Sequence, residues 1–291
     1  MTDATAAVLS APPCALAAAR SAPETNLLAR IAAPALRAAA TAWFVAAVSG
    51  QLIFVVYMAG FYARTAAFGQ FELWNKVFPR AWVPGDRMHN LIVSLHLLFT
   101  TIVIAGGALQ LIPAVRRHWP RFHRWNGRTY LISALLASAA GLVMTWTRSS
   151  TGGGLDVNLA ITINALLIIA FAALAFHHAR ARRIDVHRRW ALRLYLAMLG
   201  AWFFRIGLMF WIIANHGPAG FDPDTFRGPF ITFLSFAQYL LPLLVLELYL
   251  RARDGGGPRF RLAVATGIFA LALVTAVGVF GASMILWLPH L

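Results

Sequence analysis

The segment HNLIVSLHLLFTTIVIAGGALQLIPAV, residues 89–115, decides the fold. It contains no Asp, Glu, Lys or Arg. A bilayer core about 30 Å thick is crossed by roughly 20 apolar residues of helix. In lipid, a helix is how a single segment satisfies its own backbone amides. Residues 89–115 are therefore predicted to span a membrane. Six further stretches read the same way: 41–63, 127–146, 157–176, 190–215, 230–250 and 262–288. The stretch 157–176 is the least apolar, since it carries Asn158, Thr162 and Asn164. The expectation is an all-α polytopic integral membrane protein with seven transmembrane helices, spans two to five forming a central four-helix bundle. Residues 41–291 make the membrane domain. Residues 1–40, rich in Ala and Pro, are expected to be a mostly disordered tail in which 27–40 form an amphipathic helix lying on the membrane.

Composition supports this frame. Hydrophobic residues make up 60% of the chain and charged residues 12%, and mean hydropathy is +0.68. A soluble domain is about 45–50% apolar and about 25% charged, so too little charge is present to cover a water-facing surface. The net charge of +15 does not point to nucleic acid. Its arginines sit in short clusters between apolar runs, which suits the bilayer and anionic lipid headgroups as partners. Cys14 is the only cysteine, which excludes an intrachain disulfide and a multi-thiolate metal site.

Charge placement also predicts orientation. The loop between spans two and three carries Arg116, Arg117, Arg121 and Arg124; the next loop of the same parity carries Arg180, Arg182, Arg183, Arg188 and Arg189; the one after span six carries Arg251, Arg253 and Arg259. Arg148 and Arg227 are nearly alone in theirs. Basic loops face the cytoplasm, so the N-terminus is expected inside and the C-terminus outside. Lys76 is the only lysine in an alanine- and arginine-rich chain, a usage that points to a bacterial cytoplasmic (inner) membrane. Residues 64–88 run against the bias, with Arg64, Lys76, Arg80 and Arg87 on the expected outer side. Their Trp74, Phe78, Pro79, Trp82 and Pro84 indicate an aromatic segment at the outer interface.

Two motifs echo each other. His123-Arg-Trp-Asn-Gly-Arg-Thr-Tyr130 opens span three, and His187-Arg-Arg-Trp-Ala-Leu-Arg-Leu-Tyr195 opens span five, each after an apolar span and an arginine-rich loop. Spans two to five then read as two helical hairpins of the same sense, and such parallel repeats place a site between their halves. Together with His96 and Gln110, these motifs resemble an uncharacterised family of predicted bacterial membrane proteins over residues 88–205, which implies a multi-span protein and no particular activity. A looser resemblance is to di-haem b-type cytochromes, including the transmembrane ferric-reductase class, which hold haem between histidines of a four-helix core. Span four has no far-level histidine to oppose His96, a departure from that pattern.

Under this symmetry His123 and His187 face each other across the bundle at one depth. Two neutral imidazoles on opposite faces of a porphyrin make a six-coordinate, electron-transferring iron, and Arg124, Arg128, Arg188 and Arg193 are candidate partners for haem propionates. His177 and His178 close span four at the same level as further candidate ligands. A second, outer-leaflet site is expected from His96, Gln110 and Arg205: Gln110 follows His96 by fourteen residues, and Arg205 follows His187 by five helical turns. An ionisable group at this depth faces the protein interior, and an anion, a quinone carbonyl or a propionate would suit Arg205. Acidic residues are scarce in the spans, which argues against a proton-driven relay; Glu247 lies near the expected cytoplasmic end of span six, and Asp222 and Asp224 fall in a loop turn with His216.

Three functions follow. The first is a b-type haem-binding electron-transfer or oxidoreductase component with a quinone or other redox partner. The second is a non-enzymatic transporter, lipid-binding or accessory protein. The third is a zinc-dependent membrane hydrolase using His123, His187 and His177 or His178. The third arrangement is similar to the progestin and adiponectin receptor class, although the last span lacks a His-x-x-x-His pair.

Overall fold

The computed structural model describes the backbone of residues 13–147 and 154–291, with side chains from Leu27 onward. Among the described residues the elements are helical. They are α1 (Pro13–Tyr57), α2 (Arg64–Ala67), α3 (Arg87–Leu111), α4 (Pro113–His118), α5 (Pro120–Thr147), α6 (Leu155–Arg180), α7 (Ile184–Met198), α8 (Gly200–Ala214), α9 (Pro229–Gly255) and α10 (Pro258–Ala282). Six helices are long and apolar enough to cross a membrane, and the bent pair α7–α8 makes a seventh if counted as one span. The apolar runs read from sequence are thus multi-pass helices.

Helix boundaries follow local chemistry. Proline, whose missing N–H is no loss in a first turn, opens α4, α5, α9 and α10. Asp86 caps α3 by accepting the His89 backbone N–H at 3.0 Å, which satisfies one of the otherwise orphaned first-turn donors. Where backbones approach closely, glycine is required. A Cβ at Gly278 of α10 would collide with the Ile206 carbonyl of α8, and one at Gly50 of α1 would lie 2.9 Å from the Trp202 ring. Small residues of this kind let membrane helices pack tightly.

Two expectations change. The boundary drawn at residue 40 is absent: α1 is one helix from Pro13 through the first span, and residues 1–12 lie outside the described residues. Leu36 and Ala39, expected on a surface-lying helix, are buried against Ala252, Ala265 and Ile268. The packing of α9 and α10 therefore recruits the end of this segment into the bundle. Span five is two helices meeting at 54° about Leu199, so facing relations counted along 190–215 as one continuous helix fail across that break. Arg148 lies outside the described residues.

Residues 64–88 fold into a compact aromatic cap. Phe71 stacks on Trp82 at 4.3 Å, and Trp74, 3% exposed, packs on Tyr62 and donates its indole N–H to the Thr65 hydroxyl at 2.8 Å. His89 donates Nε2–H to the Arg80 carbonyl at 2.8 Å, and Asn90 brackets the Val83 N–H and C=O at 2.9 Å each. The first turns of α3 thereby pin the segment.

Candidate functional site

His123 and His187 are each the fourth residue of their helices, α5 and α7. The two half-buried imidazoles lie within electrostatic reach of each other, and His178 of α6 is within reach of His187. His187 donates Nδ1–H to the Ala175 carbonyl at 2.9 Å. A carbonyl only accepts, so the hydrogen sits on Nδ1 and the neutral ring keeps its Nε2 lone pair. The Nδ1 atoms of His123 and His178 are buried and have no hydrogen-bond partner. His177 is exposed and meets His178 edge-on at 5.1 Å. Among the described residues, no three His, Cys, Asp or Glu side chains gather at metal-ligand spacing.

The arginines divide. Arg193 pairs with Glu247 of α9 at 2.6 Å and lies over Trp190 at 4.6 Å. Arg189 pairs with Asp254 at 2.7 Å, and Arg188 with Asp185 at 3.7 Å. Arg128 lies over the exposed Trp125 at 5.1 Å. In both motifs, then, the Trp is covered by the Arg three residues on, facing outward at Trp125 but packed on Phe171 of α6 at Trp190. Arg193 is thus already neutralised by a carboxylate, whereas Arg124 stays within electrostatic reach of His123.

Below the histidines the interior is filled. Gly107 of α3 faces both tyrosines of the repeated motifs: a Cβ there would lie 3.0 Å from the Tyr130 ring and 3.2 Å from the Tyr195 ring. Tyr195 and Gln51 of α1 exchange hydrogen bonds, the amide donating at 2.9 Å and the hydroxyl at 3.0 Å. The buried Tyr130 hydroxyl has no partner. Asn126 donates to the Gly106 carbonyl at 2.9 Å. Sequence reading passed over Gln51 and Asn126; a lone amide in an apolar run and the adjacent glycines 106 and 107 were the available signals.

Gln110 does not join His96. It donates to the His123 carbonyl at 3.0 Å, because fourteen residues that share a face are also displaced by about 21 Å along a helix. It belongs to the His123 end. His96 donates Nδ1–H to the Ala137 carbonyl at 2.9 Å and lies within electrostatic reach of Arg205. Two tyrosines that sequence reading missed, Tyr57 and Tyr62, are also within reach of Arg205.

The loop turn at Asp222 is as expected. Asp222 accepts the Asp224 N–H and the Thr225 hydroxyl, at 2.9 Å each, and these donors hold its carboxyl below the ordinary 3.8. Two open clefts lie away from the histidines. One of ≈ 410 Å³ adjoins Phe71, Trp82 and Asn90, and one of ≈ 230 Å³ adjoins Asp156, Arg227 and Thr232.

Helices of this length and apolarity, with buried amides and histidines between them, define a multi-pass helical membrane protein. Residues 93–224 match the model of a family described as a predicted membrane protein (DUF2306), an uncharacterised membrane family. The matched stretch covers α3 from Val93 through the loop after α8, and so contains both histidine motifs. No curated protein and no solved structure matches the chain.

Proposed function

We propose that this chain is a membrane electron-transfer component that holds one b-type haem between His123 and His187. The observation that carries the reading is the pairing of equivalent fourth-position histidines of α5 and α7 at one end of the bundle, with Ala175 fixing the ring of His187. A carbonyl hydrogen-bonded to the far nitrogen is the usual support of a ligating histidine, since it sets both tautomer and ring direction. The buried, unpartnered Nδ1 of His123 fits a group not otherwise provided for. Iron so held supplies one-electron transfer. The residues' own part is to present neutral lone pairs, while Tyr130, Tyr195 and Gly107 seal the space beneath. Arg193 does not fit as a propionate partner, because Glu247 occupies it; Arg124 and Arg128 remain for that role.

The test is an absorption spectrum of detergent-purified protein from cells supplied with a haem precursor. A Soret band that shifts on dithionite, present in the wild type and lost in His123→Ala and His187→Ala, is expected. A colourless wild-type protein sinks the reading.

A second reading, a non-enzymatic lipid-binding or accessory protein, is favoured by the exposed Arg117, Arg121, Arg124 and Arg182 near the same end. It is recognised by binding to anionic vesicles that survives both histidine substitutions. A zinc hydrolase finds less support, since a three-ligand set is not gathered among the described residues. An N-terminus on the cytoplasmic side of a bacterial inner membrane remains our reading of the arginine loops.

A further inference from the structure

Arg205 is a cation set deep in an apolar helix. It lies nine residues before the end of α8, and His96 lies nine residues after the start of α3, so each is about 14 Å along its helix from the same end of the bundle. The guanidinium does not reach back towards that end. Its Nη1 donates to the carbonyl of Ala201, one turn nearer the break with α7, at 2.8 Å, and the group lies 5.7 Å from the centre of the Phe54 ring. This direction is opposite to the snorkelling by which a membrane arginine usually regains water. No carboxylate among the described residues pairs with it. One of five guanidinium donors is engaged with protein oxygen among the described residues. An intramembrane ion in this position marks a site.

The surroundings are built to match. Residues five apart on an α-helix point about 140° away from each other at 3.6 residues per turn. Between Tyr57 and Tyr62, however, the first helix continues as a π-helical turn, Met58–Ala63, in which the repeat is i to i+5. The two tyrosines therefore fall on one side of the helix, with ring centroids 6.0 Å apart. Phe54 continues this face, 5.9 Å from Tyr57. From α3, His96 commits its Nδ1–H to Ala137, which leaves a lone pair on Nε2. Such π turns occur frequently at functional sites, and a second one, Ser283–Trp287, lies against this face through Trp287.

We infer that Arg205, Tyr57, Tyr62 and His96 form a binding site for a lipid-soluble ligand that presents an oxygen acceptor on a flat apolar body, of which a quinone is the best match. Arg205 and the Tyr62 hydroxyl supply donors for the ligand oxygen, while the Tyr57 hydroxyl is hydrogen-bonded to that of Tyr62. Phe54 and Tyr57 supply aromatic faces for its ring, and His96 supplies an acceptor for the hydroxyl of the reduced form. A fatty-acid carboxylate shares the acceptor chemistry but leaves the aromatic faces and the His96 lone pair unused. The site lies on the far side of the bundle from His123 and His187, and its assignment stands whether or not those residues hold iron.

Binding is measured on purified full-length protein in detergent, by quenching of tryptophan fluorescence with a decyl-chain benzoquinone; oleate is titrated in a second arm. Trp287, whose ring is 5.1 Å from Phe54, is placed to report. Saturable quenching is expected, weakened at least tenfold by Arg205→Gln and several-fold by Tyr62→Phe, with Arg227→Gln in the loop unchanged. Saturation by oleate alone, equally sensitive to both variants, keeps the site and names the carboxylate as its ligand. Failure of both probes to saturate, or saturation indifferent to Arg205→Gln and Tyr62→Phe, overturns the inference. Because Tyr62→Phe removes one oxygen atom, it decides the matter if Arg205→Gln does not yield monodisperse protein.

Discussion

Tyr130 and Tyr195 hold matching places in the two repeated motifs, yet their hydroxyls fare differently. Tyr195 shares two hydrogen bonds with Gln51, whereas the hydroxyl of Tyr130 is buried alone. Removing one member of a buried pair strands the other, while removing an unpaired group relieves a burial cost. Tyr195→Phe is therefore expected to destabilise by about 1 kcal/mol, and Tyr130→Phe to leave stability unchanged or higher. Thermal unfolding in detergent separates them, and equal losses would contradict this account. At this scale the sequence was legible where a motif repeats: His123 and His187 each stand fourth in their helices, although a short helix, α4, precedes only the first. It was not legible where axial distance mattered. Gln110 shares a face with His96 on paper, yet it serves the far end.

At the level of the helix, contact depends on what glycine leaves out. Gly107 admits Tyr130 and Tyr195, and Gly278 admits the backbone of α8, whereas Gly267 on α10 faces open space. Overpacking a filled interior costs about 1–3 kcal/mol. Gly107→Leu and Gly278→Leu should each lower the melting temperature and the yield of monodisperse protein, and Gly267→Leu should do neither. If all three behave alike, helix propensity rather than packing governs these positions. The hydropathy of each run announced the helices themselves, because spanning lipid leaves few alternatives. Neither the π-helical turn at Met58–Ala63 nor the corner at Leu199 could be read that way. Each is a packing compromise, the first bringing Tyr57 and Tyr62 together and the second letting Asn164 of α6 donate to the Ala197 carbonyl at 3.2 Å.

For the molecule as a whole, the open question of the sequence, six crossings or seven, is concentrated in α7 and α8. If the pair crosses as one span, the chain ends lie on opposite sides of the membrane; if it turns back, they lie on the same side. The arginines that open α7 lie with the ends of α6 and α9, and Arg189 and Arg193 are bound to α9. Asn215, at the far end of α8, leads into the loop towards the start of α9, so a full crossing is expected. The unique thiol of Cys14 allows a direct check. Labelling Cys14 with an impermeant maleimide in intact cells, against a reporter fused after Leu291, should place the two ends on opposite faces. Labelling of both from one face would remove the seventh crossing. Fold class was thus available from composition and spacing alone, while the partners of interior residues such as Gln51 and Tyr195 were not, since they are set by which helices touch.

The corner at Leu199 has a mechanical corollary. One arm, α7, is riveted to α9 through Arg189–Asp254 and Arg193–Glu247; the other, α8, nests against α10 at Gly278 and Gly281. A straight rod would relay any twist from end to end. Here the rod is bent by 54° and both arms also touch α9, where Trp211 of α8 stacks on Phe230 at 4.3 Å, so the corner, crossed by the Asn164 amide at the Ala197 carbonyl, is braced from outside rather than free to flex.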